Sequence, residues 1–357
     1  MTDTTLPSPA GNQDWLIDLC ERGWLPDALV RHGMRQFMRQ RLRDEGAQDS
    51  ELAGRRLQTL LQDLRGSPIA IATDAANEQH YELPPAFFAA HLGPHLKYSC
   101  CLYPQGDENL AAAERAMLEC YVQRAELTDG QDILELGCGW GSLSLWLAER
   151  FPRARITALS NSRGQREFIE ARAAERGLQN LRVFTGNIVG FEFTEESRFD
   201  RVVSIEMFEH MKNYGLLLAK VSRWMREDAK LFVHVFAHRH LAYHFQVQDS
   251  SDWMSRYFFT GGTMPSASLF LNFQDDLRVT QQWWVDGRHY ERTALQWLQA
   301  LDAVRGRVMP LLVETYGAEQ APVWFQRWRM FYMAVGELFG FDQGREWGVA
   351  HYLFSRR

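Results

Sequence analysis

The stretch LELGCGWGS (134–142) sets the expected fold of this 357-residue chain. It joins a short apolar run, DILELG (132–137), to the helix-forming run SLSLWLAERF through three alternating glycines. Because glycine carries no side chain, it lets the backbone turn sharply and approach a ligand closely. The stretch therefore predicts a strand, a ligand-binding turn and a helix in succession.

Further apolar runs follow at regular intervals and are separated by helical segments. They are RITALS (155–160), LRVFTG (181–186), FDRVVSIE (199–206) and KLFVHVF (230–236). Strands that alternate with helices at this spacing indicate βαβ units and an α/β fold with a doubly wound, mostly parallel sheet. Two later runs, LRVTQQWWV (277–285) and GVAHYLFSRR (348–357), are expected to return to that sheet.

The pattern divides the chain into four parts. We expect an N-terminal helical region (1–80), a Rossmann-like core (81–236), an aromatic-rich helical cap with one returning strand (237–346) and a final core strand (347–357). Within the cap, the segment WMSRYFFTGGTMPS (253–266) is expected to close as a lid, with Gly261-Gly262 as its hinge.

Composition excludes several classes of protein. A formal charge of −6 leaves no basic surplus for neutralising phosphates, so nucleic acid is not an expected partner. The first residues lack the pattern of a secretory signal, and no apolar stretch reaches the length of a membrane span, so no stable membrane insertion is expected. Five cysteines without a CxxC pair indicate reduced thiols and a cytoplasmic enzyme. A homodimer is compatible with the sequence.

The glycine turn favours one cofactor class over another. Dinucleotide sites use GxGxxG and an acid about 20 residues later, whereas this turn is GxGxG, is preceded by Glu135, and is followed by a second strand that ends in the uncharged ALSNS. This arrangement suits a cationic, phosphate-free nucleoside such as S-adenosylmethionine. A NAD(P) or flavin site and a purely structural turn remain alternatives.

The decapeptide IEMFEHMKNY (205–214) concentrates Glu206, Glu209 and His210 at the end of the fourth predicted strand. If 207–214 form a helix, these side chains share one face and can hold an ammonium and take its proton. A dinuclear metal site would require Glu-x-x-His, but the residue three before His210 is Met207, so no metal is expected. A solvated helix start is the plain alternative.

Several co-linear motifs resemble one family. LELGCGWGSLSLWLAE, TALSNSRGQREFI, SIEMFEH and KYSCCLYPQGDENLAAAE are similar to the cyclopropane-fatty-acid-synthase-related branch of S-adenosylmethionine methyltransferases, which have a class I Rossmann-like fold. Within that branch, EMFEHMKNY, RYFFTGGTMPS, NFQDDL and ELFGFDQGREW resemble the coclaurine N-methyltransferase-like enzymes.

The resemblance implies roles for individual residues. It places Glu206, Glu209 and His210 in catalysis, with His210 as the proton acceptor. The residues implied to bind S-adenosylmethionine are Tyr98, Ser99, Glu135, Gly137, Gly139, Gly141, Asn161, Gln165, Asn187 and Ile188. Aromatic residues expected to line the substrate pocket are Tyr81, Trp328, Phe331 and Tyr332, although core packing would explain any one of them equally well.

The expected function is N-methylation of a small aromatic or cyclic amine with S-adenosylmethionine. The main alternative is methylation or cyclopropanation of unsaturated acyl lipids, because Cys100, His234 and Tyr332 match positions of the bicarbonate-type anion site of cyclopropane synthases, with Glu209 as a further candidate. Against this, the chain has EHMKNY where the lipid enzymes typically have a longer EHVGxKNY. A cofactor-binding regulator without turnover is the third possibility.

Overall fold

A seven-stranded sheet forms the centre of the protein in the computed structural model, which describes residues 14–71, 83–194, 198–245 and 253–357. Its strands follow one another in space as β3-β2-β1-β4-β5-β9-β8. The first five strands pair in parallel, while β9 pairs antiparallel with both β5 and β8. The strands are β1 Asp132–Leu136, β2 Arg155–Ser160, β3 Leu181–Thr185, β4 Phe199–Ile205, β5 Met225–His238, β8 Leu277–Val285 and β9 Trp347–Arg356, and a separate small hairpin joins β6 Tyr243–His244 to β7 Thr263–Met264. The predicted doubly wound, mostly parallel sheet is confirmed.

Helices cover the sheet and extend beyond it at both chain ends. In the described residues they are α1 Asp14–Glu21, α2 Asp27–Asp44, α3 Ser50–Gly66, α4 Pro85–His91, α5 Leu110–Arg124, α6 Ser142–Arg150, α7 Arg163–Glu175, α8 Tyr214–Trp224, α9 Trp253–Tyr257, α10 Gly287–Ala303, α11 Arg305–Tyr316 and α12 Ala321–Gly340. None of these helices is both long and apolar enough to cross a membrane.

The two faces of the sheet are buried in two different hydrophobic clusters. Successive strand residues point to opposite faces, so Val202 of β4 packs in one cluster and Val203 in the other. Leu231 and Phe232 of β5 alternate in the same way. Because both faces are covered, the strands read as nearly continuous apolar runs, which is why they were visible in the sequence.

The N-terminal helices pack against the last long helix. Arg329 of α12 pairs with Asp27 of α2 at 2.7 Å and with Asp302 of α10 at 2.6 Å. Arg31 and Arg35 of α2 both reach Glu337 of α12. The predicted N-terminal helical region is therefore tied to the cap by ion pairs between residues about 300 positions apart.

The expected helix over 207–214 is wrong. A single 3₁₀ turn, Phe208–His210, follows β4, and α8 begins only at Tyr214, where the side chain of Asn213 accepts a hydrogen bond from the Leu216 N–H. The backbone N–H groups of Lys212 and Asn213 donate instead to the carbonyls of Ile69 and Pro68. A tertiary contact thus replaces the helical hydrogen bonds, and the acidic cluster does not lie on one helical face.

Candidate active site

The glycine turn after β1 is held in the left-handed region that favours glycine. Gly137, Gly139 and Gly141 have φ of +76°, +51° and +80°. A Cβ on Gly137 would lie 2.8 Å from the Met207 Cγ, and one on Gly141 would lie 2.7 Å from the Ile169 Cγ1, so these two glycines allow close packing. A Cβ on Gly139 would meet nothing within 4 Å. Gly139 therefore leaves open space beside the turn.

A cavity lies at this turn, at the carboxyl ends of β1 and β4. Ligands bind at this edge in doubly wound sheets. Of the predicted cofactor residues, the lining includes Tyr98, Ser99, Glu135, Gly137 and Gly139, together with Glu206 from the acidic cluster. Sequence reasoning missed further lining residues, namely Leu96, Lys97, Leu118, Tyr121, Cys138, Trp140, Ser142, Leu143 and Ile205.

The other predicted cofactor residues lie at the ends of the next two strands. Gln165 is buried, and its Oε1 accepts a hydrogen bond from the Ser160 hydroxyl at 2.6 Å. Its Nε2 is buried with no hydrogen-bond partner among the described residues. Asn161 is exposed beyond β2, while Asn187 accepts from the Val189 N–H and Ile188 is buried in the core beneath.

Glu135 places a buried carboxyl group against the glycine turn. It accepts a hydrogen bond from the Ser144 hydroxyl in α6. Burial raises the pKa of Glu135 to about 8, although the Ser144 hydrogen bond and the charge of Lys97 act in the opposite direction. A cation in the cavity would stabilise the ionised form of this group, so the site suits a positively charged cofactor.

Glu206 is a strongly constrained carboxylate. Its backbone has φ +48°, an uncommon conformation for a residue other than glycine, and its N–H donates to the His234 carbonyl at 2.9 Å. Its Oε1 accepts from the Cys100 N–H and from the His234 Nε2, each at 3.0 Å. Its Oε2 accepts from the Tyr290 hydroxyl at 2.7 Å. Three donors therefore fix both oxygens.

Glu209 has a contrasting environment. The residue is 1% exposed, and both of its carboxylate oxygens are buried without a hydrogen-bond partner among the described residues. Burial and the charge of Glu206 raise the pKa of Glu209 well above its ordinary value. Burial raises the pKa of Glu206 as well, but Lys97, the Cys100 N–H and the Tyr290 hydroxyl oppose that rise. Of the two carboxyls, Glu209 therefore holds a proton more strongly than Glu206 does.

His210 is a weaker base in this site than an ordinary histidine. Burial lowers its pKa to about 4, and the nearby charge of Lys212 acts in the same direction, while Glu206 opposes both. Its ring stacks on the Phe259 ring, with centroids 5.8 Å apart and planes 9° apart. The main cause of the lowered pKa is burial of the imidazole in an apolar, aromatic environment.

Lys97 supplies a buried cation that sequence reasoning overlooked. Its Nζ donates to the Ser99 hydroxyl and, at 2.6 Å, to the Cys100 carbonyl, and it lies 5.2 Å from the centroid of the Tyr121 ring. Its charge lowers the pKa of both Glu135 and Glu206. The only signal in the sequence was its place in the KYSCC motif. Tyr290, which lies 84 residues from Glu206, gave no signal at all.

Aromatic side chains form a wall behind these polar groups. Trp328, Phe331 and Tyr332 are all buried in α12. Phe331 stacks on Phe258 at 4.4 Å between centroids and lies 6.2 Å from Phe259, the partner of His210. The fourth predicted pocket residue, Tyr81, lies outside the described residues.

The residues suspected of holding bicarbonate have other partners. The Cys100 N–H and His234 Nε2 both donate to the Glu206 carboxylate. The Tyr332 hydroxyl is 2.6 Å from the His91 Nε2. The Glu206 carboxylate therefore accepts the hydrogen bonds that bicarbonate would accept from Cys100 and His234. In the described part of the chain, no group of three or more His, Cys, Asp or Glu is arranged to hold a metal ion.

The predicted lid is fastened at one end. Lys212, two residues after His210, donates from its Nζ to the Gly262 carbonyl at 3.1 Å and to the Thr263 hydroxyl at 2.9 Å. These bonds hold the end of the predicted lid that contains β7 against the segment that carries Glu209 and His210. The helix α9 and the Phe258–Phe259 pair precede this anchor.

Comparisons with known proteins show that the chain is an S-adenosylmethionine-dependent methyltransferase, which agrees with the glycine turn, the buried acid and the cavity at the carboxyl edge of its sheet. The family model for mycolic acid cyclopropane synthetase matches residues 71–336. The chain belongs to this family.

Comparisons with individual proteins agree with this assignment. The chain is 38% identical to (S)-coclaurine N-methyltransferase of Thalictrum flavum subsp. glaucum, over 96% of this chain and 95% of that protein. It is 26% identical to cyclopropane-fatty-acyl-phospholipid synthase of Escherichia coli strain K12, over 62% of this chain and 55% of that enzyme. A crystal structure of coclaurine N-methyltransferase bound to N-methylheliamine and SAH superposes with a TM-score of 0.92 at 38% identity, covering 96% of this chain and 99% of that one.

Proposed function

We propose that this methyltransferase N-methylates a small cyclic amine of the alkaloid type. One observation carries the proposal: Glu209 is a buried carboxyl that has no hydrogen-bond partner among the described residues, and the charge of Glu206 acts on it, while the next residue, His210, stacks on Phe259. Buried polar groups without partners are rare and call for an explanation. An amine nitrogen would supply the missing donor, and the aromatic faces would hold its ring and its positive charge. The relatives named as N-methyltransferases, which match over nearly the whole chain, support the same substrate class.

The proposed chemistry follows from the two protonation states. The amine must lose its proton before its lone pair can accept a methyl group. Because the pKa of Glu209 is raised and that of His210 is lowered, Glu209 is the stronger base of the two. We assign proton removal to the fraction of Glu209 that is ionised, attraction of the ammonium to Glu206, and placement of the amine against Phe259 to His210. This assignment differs from the expectation that His210 is the acceptor.

We propose that the residues predicted to bind the cofactor contact different parts of it. When bound, S-adenosylmethionine supplies an activated methyl group on a sulfonium. Glu135 would attract the ammonium group of the cofactor. The open space beside Gly139 would admit the part of the cofactor that lies against the protein backbone, and Tyr98 and Ser99 would close the cavity. Gln165, whose Nε2 has no hydrogen-bond partner among the described residues, would face the nucleoside together with Asn161, Asn187 and Ile188. Gly137 and Gly141 would permit the close packing of the turn.

The lipid alternative is less well supported. The donors expected to hold an anion such as bicarbonate are the Cys100 N–H and His234, and both already bond the Glu206 carboxylate. The carboxylate of the chain would have to leave before an external anion could bind.

The test is an assay of the purified protein with S-adenosylmethionine and three substrates: (S)-coclaurine, a panel of cyclic amines, and vesicles of unsaturated phospholipid with added bicarbonate. We expect methylated amine and unchanged lipid. Lipid turnover without amine turnover would replace the proposal, and cofactor binding without any product would support a regulator.

Two variants separate the candidate bases. Glu209→Gln keeps the size of the side chain but cannot take a proton, so we expect turnover of the amine to fall by about 10²–10⁴, the usual scale for a general base. His210→Ala should lower turnover less and raise the KM for the amine. The reverse ranking would return the proton-accepting role to His210. Cofactor affinity, measured by calorimetry, serves as the control and should remain near that of the parent in both variants.

A further inference from the structure

A row of four polar side chains crosses the sheet from the active site toward its far side. Glu206 directly follows β4, whose last residue pairs with His234 of β5, and His234 in turn pairs with His351 of β9. Arg124, the last residue of α5, completes the row. The three links are His234 Nε2 to Glu206 Oε1 at 3.0 Å, His351 Nε2 to His234 Nδ1 at 2.9 Å, and Arg124 Nη1 to His351 Nδ1 at 2.7 Å.

Both histidines of this row are neutral. Each is fully buried, with 0% of its surface exposed. Burial lowers the pKa of His234 and of His351 well below the ordinary value, and the charge of Arg124 acts in the same direction on both. A neutral imidazole has one N–H and one lone pair, so each ring can donate at one nitrogen and must accept at the other.

Arg124 determines which nitrogen is which. A guanidinium can only donate, so the His351 Nδ1 that faces it must accept, and the His351 Nε2 carries the proton. That N–H faces the His234 Nδ1, which must therefore accept in turn. The proton of His234 is then on Nε2, where it meets the Glu206 carboxylate. Every hydrogen bond in the row points toward Glu206.

Tyr121 fits the same assignment. Its hydroxyl lies 2.9 Å from the His234 Nδ1, so two donors share one lone pair there. The opposite tautomer of His234 would direct a lone pair at the Glu206 carboxylate, which is repulsive, and would direct an N–H at the N–H of His351.

We propose that Arg124 and His351 are positioning residues of the methyltransferase site, because they fix the tautomer of His234 so that its Nε2–H always donates to Glu206. This donor keeps Glu206 the anion of the carboxylate pair and leaves Glu209 free to exchange a proton. The effect on turnover rests on the proposed N-methylation, whereas the tautomers do not depend on it.

The tautomers can be measured directly in the intact protein. In protein labelled with ¹⁵N-histidine, two-bond ¹H–¹⁵N correlations distinguish an Nε2–H imidazole from an Nδ1–H one. We expect both His234 and His351 to show the Nε2–H pattern, with assignments from the variants His234→Gln and His351→Gln. An Nδ1–H pattern or a mixture at either residue in the parent protein would overturn the proposal.

Three arginine variants test the consequence. Arg124→Met removes the donor, so we expect mixed tautomers at His351 and a kcat for (S)-coclaurine lower by about 10- to 100-fold, the scale for groups that orient a functional histidine. Arg124→Lys remains a pure donor and should restore both properties. Arg150→Met is the matched control, since Arg150 lies 5.2 Å over Trp146 much as Arg124 lies 5.1 Å over Trp283, but Arg150 bonds no histidine in the described part of the chain.

The outcomes separate the two proposals. If Arg124→Met lowers kcat but leaves the tautomers unchanged, Arg124 has only a structural role and this inference is refuted. The inference is also refuted if the variant changes neither kcat nor the tautomers. If the parent protein methylates no amine, the proposed function fails, and the tautomers of the parent and of Arg124→Met alone decide whether Arg124 acts as described.

Discussion

Residues of one type acquire different roles in this site because their partners differ. Glu206 and Glu209 are three positions apart, yet three donors hold the first and none among the described residues holds the second. Glu135 is a third case, since it has a hydroxyl donor and a pKa of about 8. Burial raises the pKa of all three, and the donors and nearby charges decide which is ionised at neutral pH.

Glu135 should make cofactor binding dependent on pH. At its pKa of about 8, half of the carboxyl groups in the cofactor-free site are protonated, while an ammonium group binds the ionised form. Affinity should therefore rise as pH increases from about 6 to 8 and then level off, and binding at pH 7 should release protons. Calorimetry in two buffers of different ionisation enthalpy measures that release. Glu135→Gln should bind more weakly and should lose the pH dependence; an equally pH-dependent variant would contradict the assignment.

Of the three glycines in the turn, Gly139 should be the one at which an added side chain most weakens cofactor binding. Gly139→Ala places a methyl group in the open space beside the turn, where no protein atom lies within 4 Å, so it should weaken cofactor binding by at least about tenfold. Gly177→Ala is the matched control, because Gly177 also has a positive φ, of +68°, and open space around its Cβ. Both variants carry a similar backbone strain of about 1 kcal/mol. Equal cofactor affinity in the two variants would contradict the placement.

At the scale of elements, Lys212 joins the predicted lid to the turn that carries Glu209 and His210. Lys212 follows the 3₁₀ turn that carries Glu209 and His210, and it holds Gly262 and Thr263. Lys212 therefore restrains the part of the predicted lid near β7. Any closing motion is expected in the part before it, which contains α9 and the Phe258–Phe259 pair. Since Phe259 stacks on His210, closure of the second part would complete the substrate pocket.

Hydrogen exchange can test this division. Binding of cofactor and (S)-coclaurine should slow exchange over 253–260 more than over 261–264, which Lys212 already restrains. Lys212→Met should speed exchange over 261–264 by about tenfold, because a buried carbonyl and a hydroxyl lose their donor. Lys230→Met, which removes a lysine paired with Glu126 outside the lid, is the control and should leave these residues unchanged. Unaltered exchange over 253–260 on ligand binding would refute the lid.

At the scale of the whole molecule, the N-terminal helices and the cap stabilise each other. Arg329 joins α2 to α10 through Asp27 and Asp302, and its own side chain is 17% exposed. Replacing Arg329 with Met leaves two carboxylates without their partner and loosens the contact between three helices. We expect the free energy of unfolding to fall by roughly 1–3 kcal/mol.

Chemical denaturation of the two arginine variants measures this contribution. Arg22→Met removes an exposed pair with Asp18 at the end of α1, so its unfolding free energy should stay close to that of the parent. Equal stability of Arg329→Met and Arg22→Met would show that the ion pairs of Arg329 do not contribute to holding the N-terminal helices.

The sequence by itself determined the α/β class, the order of the core strands, the glycine turn and the family. These features are local: an apolar strand buried on both faces, or a glycine at a positive φ, leaves its mark within a few residues. Only the tertiary structure decided the protonation of the carboxylates, because their donors come from distant segments. Tyr290 and the Cys100 N–H bond Glu206 from 84 and 106 residues away along the chain, and the charge of Lys97 acts on it through space. It also replaced the expected helix after β4 with a single turn, since the Pro68–Ile69 carbonyls take the N–H groups that a helix would use. Charge and hydrogen bonding act through space, and they show no period along the chain.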